Sequence, residues 1–154
     1  MASLPQDNEI PASFEVIYDV GFKTMYFDEE SSTIITIWNT KSENITDADY
    51  KKDSEATVTL IQDSDAHYMI SDHRENRFNI SPDLQKWYAA LIANVLGNSS
   101  FEKCAVIITS DLNLLSALEE IRINILKMEV EPKIAYRFFA NFKEAKKWIY
   151  TKAI

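Results

Sequence analysis

The residue types with the greatest chemical potential are concentrated in one polar stretch of the sequence. Asp72, His73, Arg74 and Arg77 lie within six residues, and Ser81 follows soon after. Together they supply a carboxylate, an imidazole, two guanidinium groups and a hydroxyl, which can recognise an anion or a protein surface. His73 with Asp72 or a serine could also serve as a general base in hydrolysis. We therefore take these five residues as the candidate ligand- or partner-binding site.

Other residue types that support catalysis or cofactor binding are scarce. Asp63, Asp65 and His67 have i, i+2, i+4 spacing, but no further histidine or cysteine lies nearby, so a solvated turn is favoured over a metal site. Cys104 lies in an apolar run, which predicts a buried thiol and not a reactive one. The sequence has only two glycines, too few for a phosphate-binding or dinucleotide-binding loop. We predict no metal and no cofactor.

The composition is that of an ordinary globular protein with an acidic balance. Of the 154 residues, 16 are basic and 24 are acidic, which gives a net charge of −8. This charge argues against nucleic-acid binding and against docking on anionic membranes, although an acidic total can hide a basic patch. No signal peptide and no membrane-spanning apolar run is recognisable, so we expect a cytoplasmic protein without membrane insertion. Residues 1–12 are predicted to be a flexible arm, and residues 13–154 a single domain.

A strand and a helix must position the candidate site. The apolar run His67–Asp72 predicts a strand that ends where the polar stretch begins. Ser81 and Pro82 then have the residue types preferred at the N-cap and first position of a helix, which should end near Gly97. In open α/β sheets ligands bind at the carboxyl ends of strands, and a helix N-terminus favours an anion. The candidate site therefore occupies a favourable place in the predicted fold.

The N-terminal part of the sequence predicts antiparallel strands and one helix. The β-branched and aromatic residues of Phe14–Phe27 indicate one or two strands, with Gly21 at a bulge or turn. Thr33–Trp38 is a further strand, joined to them by a short polar turn, so these strands should pair antiparallel. A helix is predicted from the N-cap Thr46 to about Ile61.

The C-terminal part alternates strands and helices. Lys103–Thr109 and Lys133–Phe139 are predicted strands, Asp111 to about Lys127 is a helix, and Asn141 caps a final helix. Alternation of this kind predicts right-handed crossovers and a parallel section of sheet. The predicted fold is thus α/β: a mixed sheet with antiparallel N-terminal strands and a parallel section, flanked by about four helices. The apolar side of the third helix is assigned to Leu114, Leu115, Leu118, Ile121, Ile125 and Leu126.

A longer pattern runs through the second half of the chain. A strand ends in Asp72, a polar loop follows, and Ile80–Trp87 reads Ile-Ser-Pro-Asp-Leu-Gln-Lys-Trp. After an alanine-valine strand at Ala105–Thr109, the segment Phe139–Trp148 has the form Phe-x-x-Phe-x-x-Ala-x-x-Trp. With these features the sequence, over roughly residues 14–150, resembles the SpoIIAA-like, STAS-related domains that occur as small bacterial proteins.

The resemblance implies a mixed sheet with helices and a non-enzymatic regulatory or ligand-binding role. In the anti-sigma-factor antagonists of this family, a phosphorylated serine lies in an Asp-Ser-Ser-Gly motif at a helix start. Ser81 stands in that place here, which makes it a candidate for phosphorylation, but the Asp-Ser pair and the glycine of the motif are missing. We therefore predict a regulatory module that binds a protein partner or a second copy of itself. A small-ligand protein for a lipid or an anion is the alternative, and a hydrolase using His73 is a third hypothesis.

Overall fold

The structure is a computed structural model that describes residues 10–128 and 134–151. The strands are β1 (Glu15–Asp19), β2 (Lys23–Asp28), β3 (Thr33–Trp38), β4 (Tyr68–Asp72), β5 (Lys103–Ile107) and β6 (Ala135–Phe139). The helices are α1 (Asp47–Asp63), α2 (Pro82–Leu96), α3 (Leu112–Lys127) and α4 (Phe142–Ile149), with a short 3₁₀ helix at Thr40–Asn44.

The six strands form one mixed sheet in which every strand lies beside its neighbour in sequence. The order is β1-β2-β3-β4-β5-β6, with antiparallel pairing from β1 to β3 and parallel pairing from β3 to β6. The predicted fold class is therefore confirmed. Because the parallel strands advance in one direction, right-handed crossovers place α1, α2 and α3 on the same face. Among the described helices, none is long and apolar enough to span a membrane.

The sheet separates two apolar clusters, one on each face. On β4, Met69 belongs to the larger cluster under α1, α2 and α3, whereas Ile70 belongs to the smaller cluster under α4. This alternation follows from the two-residue period of a strand. Ile10, which the sequence places in the N-terminal arm, packs against the smaller cluster. The rest of the arm, residues 1–9, lies outside the described residues.

Local signals in the sequence set the predicted helix starts. Thr46 caps α1 in a reciprocal capping box with Asp49, and Asn141 caps α4 by accepting a hydrogen bond from a backbone N–H. Gly21 lies in the turn between β1 and β2 with a φ of +94°, a conformation that favours glycine. Gly97 ends α2 as predicted, but its φ of −60° is right-handed, so any residue type could adopt this backbone.

The structure corrects two sequence-based assignments near β5 and α3. The strand predicted to reach Thr109 ends two residues earlier, because the Thr109 hydroxyl accepts a hydrogen bond from the Asp111 N–H in a turn. Leu126 was assigned wrongly to the apolar side of α3, since 44% of it is exposed at the last turn of that helix. The predicted start of the last strand at Lys133 lies outside the described residues.

Candidate functional site

The polar stretch forms a packed loop at the carboxyl edge of the parallel strands. We call residues 73–81 the edge loop. His73, Asn76, Phe78 and Ile80 are all buried, so alternate parts of the loop are anchored in the core. The loop is also tied to both sides: the His73 N–H donates to the last residue of β5, and the next N–H beyond Asn76 donates to a serine of the 3₁₀ helix. Its conformation is therefore fixed by packing and hydrogen bonds.

The hydrogen-bond network around His73 determines which ring nitrogen carries the proton. The Oδ1 atom of Asn76 accepts a hydrogen bond from the Phe78 N–H at 2.9 Å, so its Nδ2 group must face His73. That amide lies 3.0 Å from the His73 Nδ1 atom and can only donate to it. Nδ1 is then an acceptor, and the proton lies on Nε2, which donates to the Ser71 Oγ atom at 3.0 Å.

This arrangement keeps His73 neutral. Its pKa is lowered to about 3, mainly by burial; the Asp72 carboxylate opposes this shift, and the charge of Lys23 contributes to it. The ring also stacks on Trp38, with 5.6 Å between centroids. To act as a general base toward Ser71, the Nε2 atom would have to accept a proton that it already carries. The geometry therefore does not favour hydrolysis through His73.

Asp72 and Arg74 neutralise each other on the other face of the sheet. Asp72 alternates with Ser71 along β4, so its carboxylate points away from His73. Arg74 donates to this carboxylate through Nη2 at 2.7 Å and through Nε at 3.0 Å. Because Asp72 is buried, the bidentate pair compensates its charge. The structure thus gives Asp72 and Arg74 a mutual structural contact and separates them from the imidazole.

The remaining predicted residues reach the surface. Arg77 is exposed, and Ser81 is half-buried as the N-cap of α2, where its Oγ atom accepts a hydrogen bond from the Leu84 N–H at 3.3 Å. Beyond the neighbouring β5-to-α3 connection, the first residue of α3 is Leu112, which is 77% exposed, more than any other large apolar residue among those described. We call Arg77, Ser81 and Leu112 the edge surface. The sequence reading named the first two of these residues and missed the third.

A buried ion pair under α1 was also missed. The Lys23 Nζ atom lies 2.9 Å from the Asp53 carboxylate, and both side chains are almost fully enclosed. Tyr18 donates to the same carboxylate at 3.0 Å, Lys23 also donates to Thr57, and Nζ lies 5.2 Å above the Trp38 ring. Burial lowers the pKa of Lys23, and Asp53 opposes that shift. One feature of the sequence could have revealed this ion pair. Side chains alternate between the two faces along β2, which places Lys23 on the apolar face of that strand.

The ion pair and the imidazole line one small polar cavity. Its volume is about 30 Å³, and a water molecule needs about 10–15 Å³, so the cavity has room for about two waters. Ligand pockets for organic molecules are about ten times larger. Burial raises the pKa of the Cys104 thiol to about 12, so that group is protonated at neutral pH. The polar lining includes Lys23, Asp53, Ser71, His73, Tyr88 and Tyr136.

The acidic spacing before β4 does not form a metal site in the part of the chain that the structure describes. Asp63 ends α1, Asp65 adopts a φ of +55° in the following turn, and His67 lies 3.2 Å from Glu102. No group of three or more histidine, cysteine or acidic residues within residues 10–128 and 134–151 could hold a metal ion.

Comparisons with models of known families, with curated proteins and with solved structures find no match to this chain. The likeness to SpoIIAA-like domains therefore rests on the sequence pattern alone and stays a prediction. The structure itself shows three features of this chain: the α/β fold, the buried neutral His73, and an edge loop that presents Arg77 and Ser81 at the surface.

Proposed function

We propose that this protein is a non-enzymatic, cytoplasmic interaction module of the SpoIIAA-like type that binds a protein partner through the edge surface. The observation that carries the proposal is the exposed Leu112 beside a loop whose conformation is already fixed. Arg77 and Leu112 follow neighbouring parallel strands, and arginine and apolar side chains are a common composition for a protein contact. A loop that is ordered before binding loses little conformational entropy when the partner docks.

The geometry of the candidate site supports binding more than catalysis. The His73 imidazole is enclosed and carries its proton on the nitrogen that faces Ser71. The Asp72 carboxylate is already paired with Arg74. Both groups that hydrolysis would need are engaged in contacts inside the fold, whereas the groups at the surface are suited to recognition.

Partner capture with charge-matched variants tests the proposal. The tagged protein would be cross-linked in its native host, the partner identified, and its affinity measured with purified proteins. We expect Arg77→Glu with Leu112→Glu to weaken binding at least about tenfold, because hot-spot residues dominate such contacts. Lys52→Glu with Leu126→Glu makes the same changes at exposed positions on α1 and α3, and should alter affinity less than about twofold. Equal losses in both variants, or no partner at all, would contradict the proposal.

Phosphorylation of Ser81 would regulate the same surface. A phosphate at the α2 N-terminus gains favourable interactions with the helix dipole and free N–H groups. The modification would replace the present hydrogen bond from the Leu84 N–H to the Ser81 Oγ atom. Mass spectrometry of the protein from its native host tests this idea: a phosphopeptide spanning Ser81 is expected, and its absence under all growth conditions would count against it.

The polar cavity is where a second candidate function, the binding of a small anion or lipid, would take place. Lys23 would have to exchange its contact with Asp53 for a contact with the ligand, and a volume of about 30 Å³ means that α1 would have to move away from the sheet. Native mass spectrometry of freshly purified protein distinguishes the two functions. A mass increase that is lost in Lys23→Met would favour the carrier, and a clean apo mass with every candidate ligand would eliminate it.

A further inference from the structure

Charge is unevenly distributed between the end of the chain and the rest of it. Residues 134–151 contain four basic residues and one acidic residue, for a net charge of +3. The remainder of the chain contains 12 basic and 23 acidic residues, for a net charge of −11. The acidic total therefore conceals a segment of opposite sign, which forms β6 and α4.

The fold turns these positive charges outward. The apolar side of α4, with Phe142, Ala145 and Ile149, packs on the sheet. Lys143 and Lys147 are one turn apart on the opposite, exposed side, and Arg137 is exposed on the adjacent β6. We call Arg137, Lys143 and Lys147 the basic face. Glu144 is the one exposed carboxylate of α4.

The cations of the basic face do not form ion pairs with carboxylates among the described residues. Among the described residues, no carboxylate lies within ion-pair distance of Arg137, Lys143 or Lys147. The Arg137 guanidinium lies 5.6 Å from the Phe139 ring centroid and 5.4 Å from that of Trp148. Contacts of this kind hold a guanidinium in place through cation–π attraction. A positioned guanidinium suits the two oxygens of a carboxylate.

We propose that the basic face is a second interaction surface, and that its occupant is an acidic segment of a partner protein. It lies on the opposite face of the sheet from α1, α2 and α3, and it does not depend on the edge surface. We choose an acidic occupant because of charge complementarity. Three exposed cations face outward on a molecule that is otherwise acidic, so a compact acidic segment is attracted to this face and repelled by the rest of the surface.

Two other polyanions fit this face less well. Single-stranded nucleic acid binds by stacking its bases on aromatic rings. Here the Trp148 ring already has the Arg137 guanidinium at 5.4 Å and the Lys103 Nζ atom at 5.0 Å. An anionic membrane binds amphipathic helices that insert apolar side chains. The apolar side of α4 is already buried against the sheet. Tyr150, the exposed aromatic residue at the end of this helix, is held by a contact of 2.8 Å between its hydroxyl and that of Thr33.

Nuclear magnetic resonance can test the basic face without knowledge of the natural partner. The probe is a synthetic peptide of alternating glutamate and glycine, titrated at low salt into the isotope-labelled full chain, with a glutamine-glycine peptide as control. We expect shifts confined to β6 and α4, including the Trp148 indole N–H, and no shifts with the neutral peptide. Raising the salt concentration should weaken the effect, because the contact is between exposed charges.

Charge-matched variants distinguish binding by the basic face from a general effect of the total charge of the protein. Arg137→Glu with Lys143→Glu and Lys147→Glu should weaken peptide binding at least about tenfold. Lys41→Glu with Lys52→Glu and Lys86→Glu has the same net charge and alters exposed lysines elsewhere. This control should retain binding within about twofold. The circular dichroism spectrum of each variant checks that the fold is intact.

Several results would overturn the proposal. Absence of shifts, shifts spread over the molecule, or equal losses in both triple variants would each remove it. Tighter binding of single-stranded DNA or of phosphatidylserine vesicles to the same residues would replace the acidic protein segment with that polyanion. A wild-type dimer that becomes a monomer only in the basic-face variant, seen by sedimentation velocity, would replace it with a second copy of the chain.

Discussion

At the scale of single residues, burial keeps His73 neutral, and the amide of Asn76 determines which ring nitrogen carries the proton. Protonation would place a second N–H on the Nδ1 atom, directly opposite the Asn76 Nδ2 donor at 3.0 Å. Burial is the larger cause of the lowered pKa, since the imidazole is removed from water. The histidine therefore contributes to stability only as long as it remains neutral.

This leads to a pH dependence of unfolding. The pKa of His73 is about 3 in the folded protein and 6.5 for an ordinary histidine, so between these values only the unfolded chain binds the proton. Stability should fall as the pH falls through that window, by up to about 1.4 kcal/mol per pH unit. Urea unfolding at pH 7, 6 and 5 measures this slope. His73→Gln should be less stable at pH 7 but have a shallower slope.

The second histidine provides the control for this experiment. His67 is partly exposed and lies outside the hydrogen-bond network of His73, so His67→Gln should retain the contribution of His73 to the slope. The carboxylates are common to all three proteins, so their contributions cancel in the comparison. A His73→Gln slope equal to that of the wild type would show that His73 is not the group responsible.

The Lys23–Asp53 pair predicts strong coupling between two buried residues. Lys23→Met or Asp53→Leu alone leaves one buried charge without its partner, which should lower the free energy of unfolding by about 3–5 kcal/mol. The double variant should lose clearly less than the sum, because neither charge remains. Chemical denaturation of all four proteins gives the coupling energy.

An exposed ion pair supplies the contrast. Arg122 and Glu119 are 2.7 Å apart on the partly exposed side of α3, and Arg122→Met should cost less than about 1 kcal/mol. Purely additive effects of Lys23→Met and Asp53→Leu would mean that the buried contact does not stabilise the fold.

The sequence indicated where in the fold the candidate site lies, but it did not reveal which contacts the side chains of the site make. Ser81 could be recognised as an N-cap because capping depends on neighbouring residues. The burial of His73 depends on the conformation of the edge loop, which directs the Asn76 side chain. Lys23 and Asp53 are 30 residues apart, and no local rule pairs two such positions.

At the scale of secondary structure, Ser81 is expected to contribute mainly to the start of α2. Ser81→Ala removes the acceptor for the Leu84 N–H and should lower the free energy of unfolding by about 1 kcal/mol, whereas Ser81→Asp should retain most of it. Thermal unfolding of both variants measures the effect. Ser100→Ala changes an exposed serine outside the helices and should have no effect. A Ser81→Ala variant as stable as the wild type would refute the capping role.

Most elements could be predicted because each has a local signal. The period of apolar residues separates strands from helices, and the caps at Thr46, Ser81 and Asn141 locate three helix starts. Leu126 has the right spacing for the apolar side of α3 but lies at its last turn, where the core no longer covers it. The spacing of apolar residues along a helix does not reveal how far the neighbouring strands and helices extend, so it cannot predict where the core stops covering that helix.

At the scale of the whole molecule, the consecutive strand order separates the surfaces. Three crossover helices cover one face, whereas α4 packs on the other. The edge surface and the basic face therefore have different orientations. Sequence alternation predicted the parallel section but not this order, since the same alternation is compatible with several arrangements of strands.

Cys104 should report opening of the whole domain. The thiol is buried on β5, has a pKa raised to about 12, and borders a cavity with room only for water. Labelling by a bulky disulfide reagent at pH 8 should be at least about a thousandfold slower than in urea-unfolded protein, since a domain of ordinary stability is rarely open. The labelling rate should rise with urea in parallel with global unfolding. Cys104→Ala with Ser110→Cys moves the thiol to an exposed position and should react at once. Fast, urea-independent labelling of Cys104 would instead reveal that the helices covering β5 open locally while the sheet stays intact.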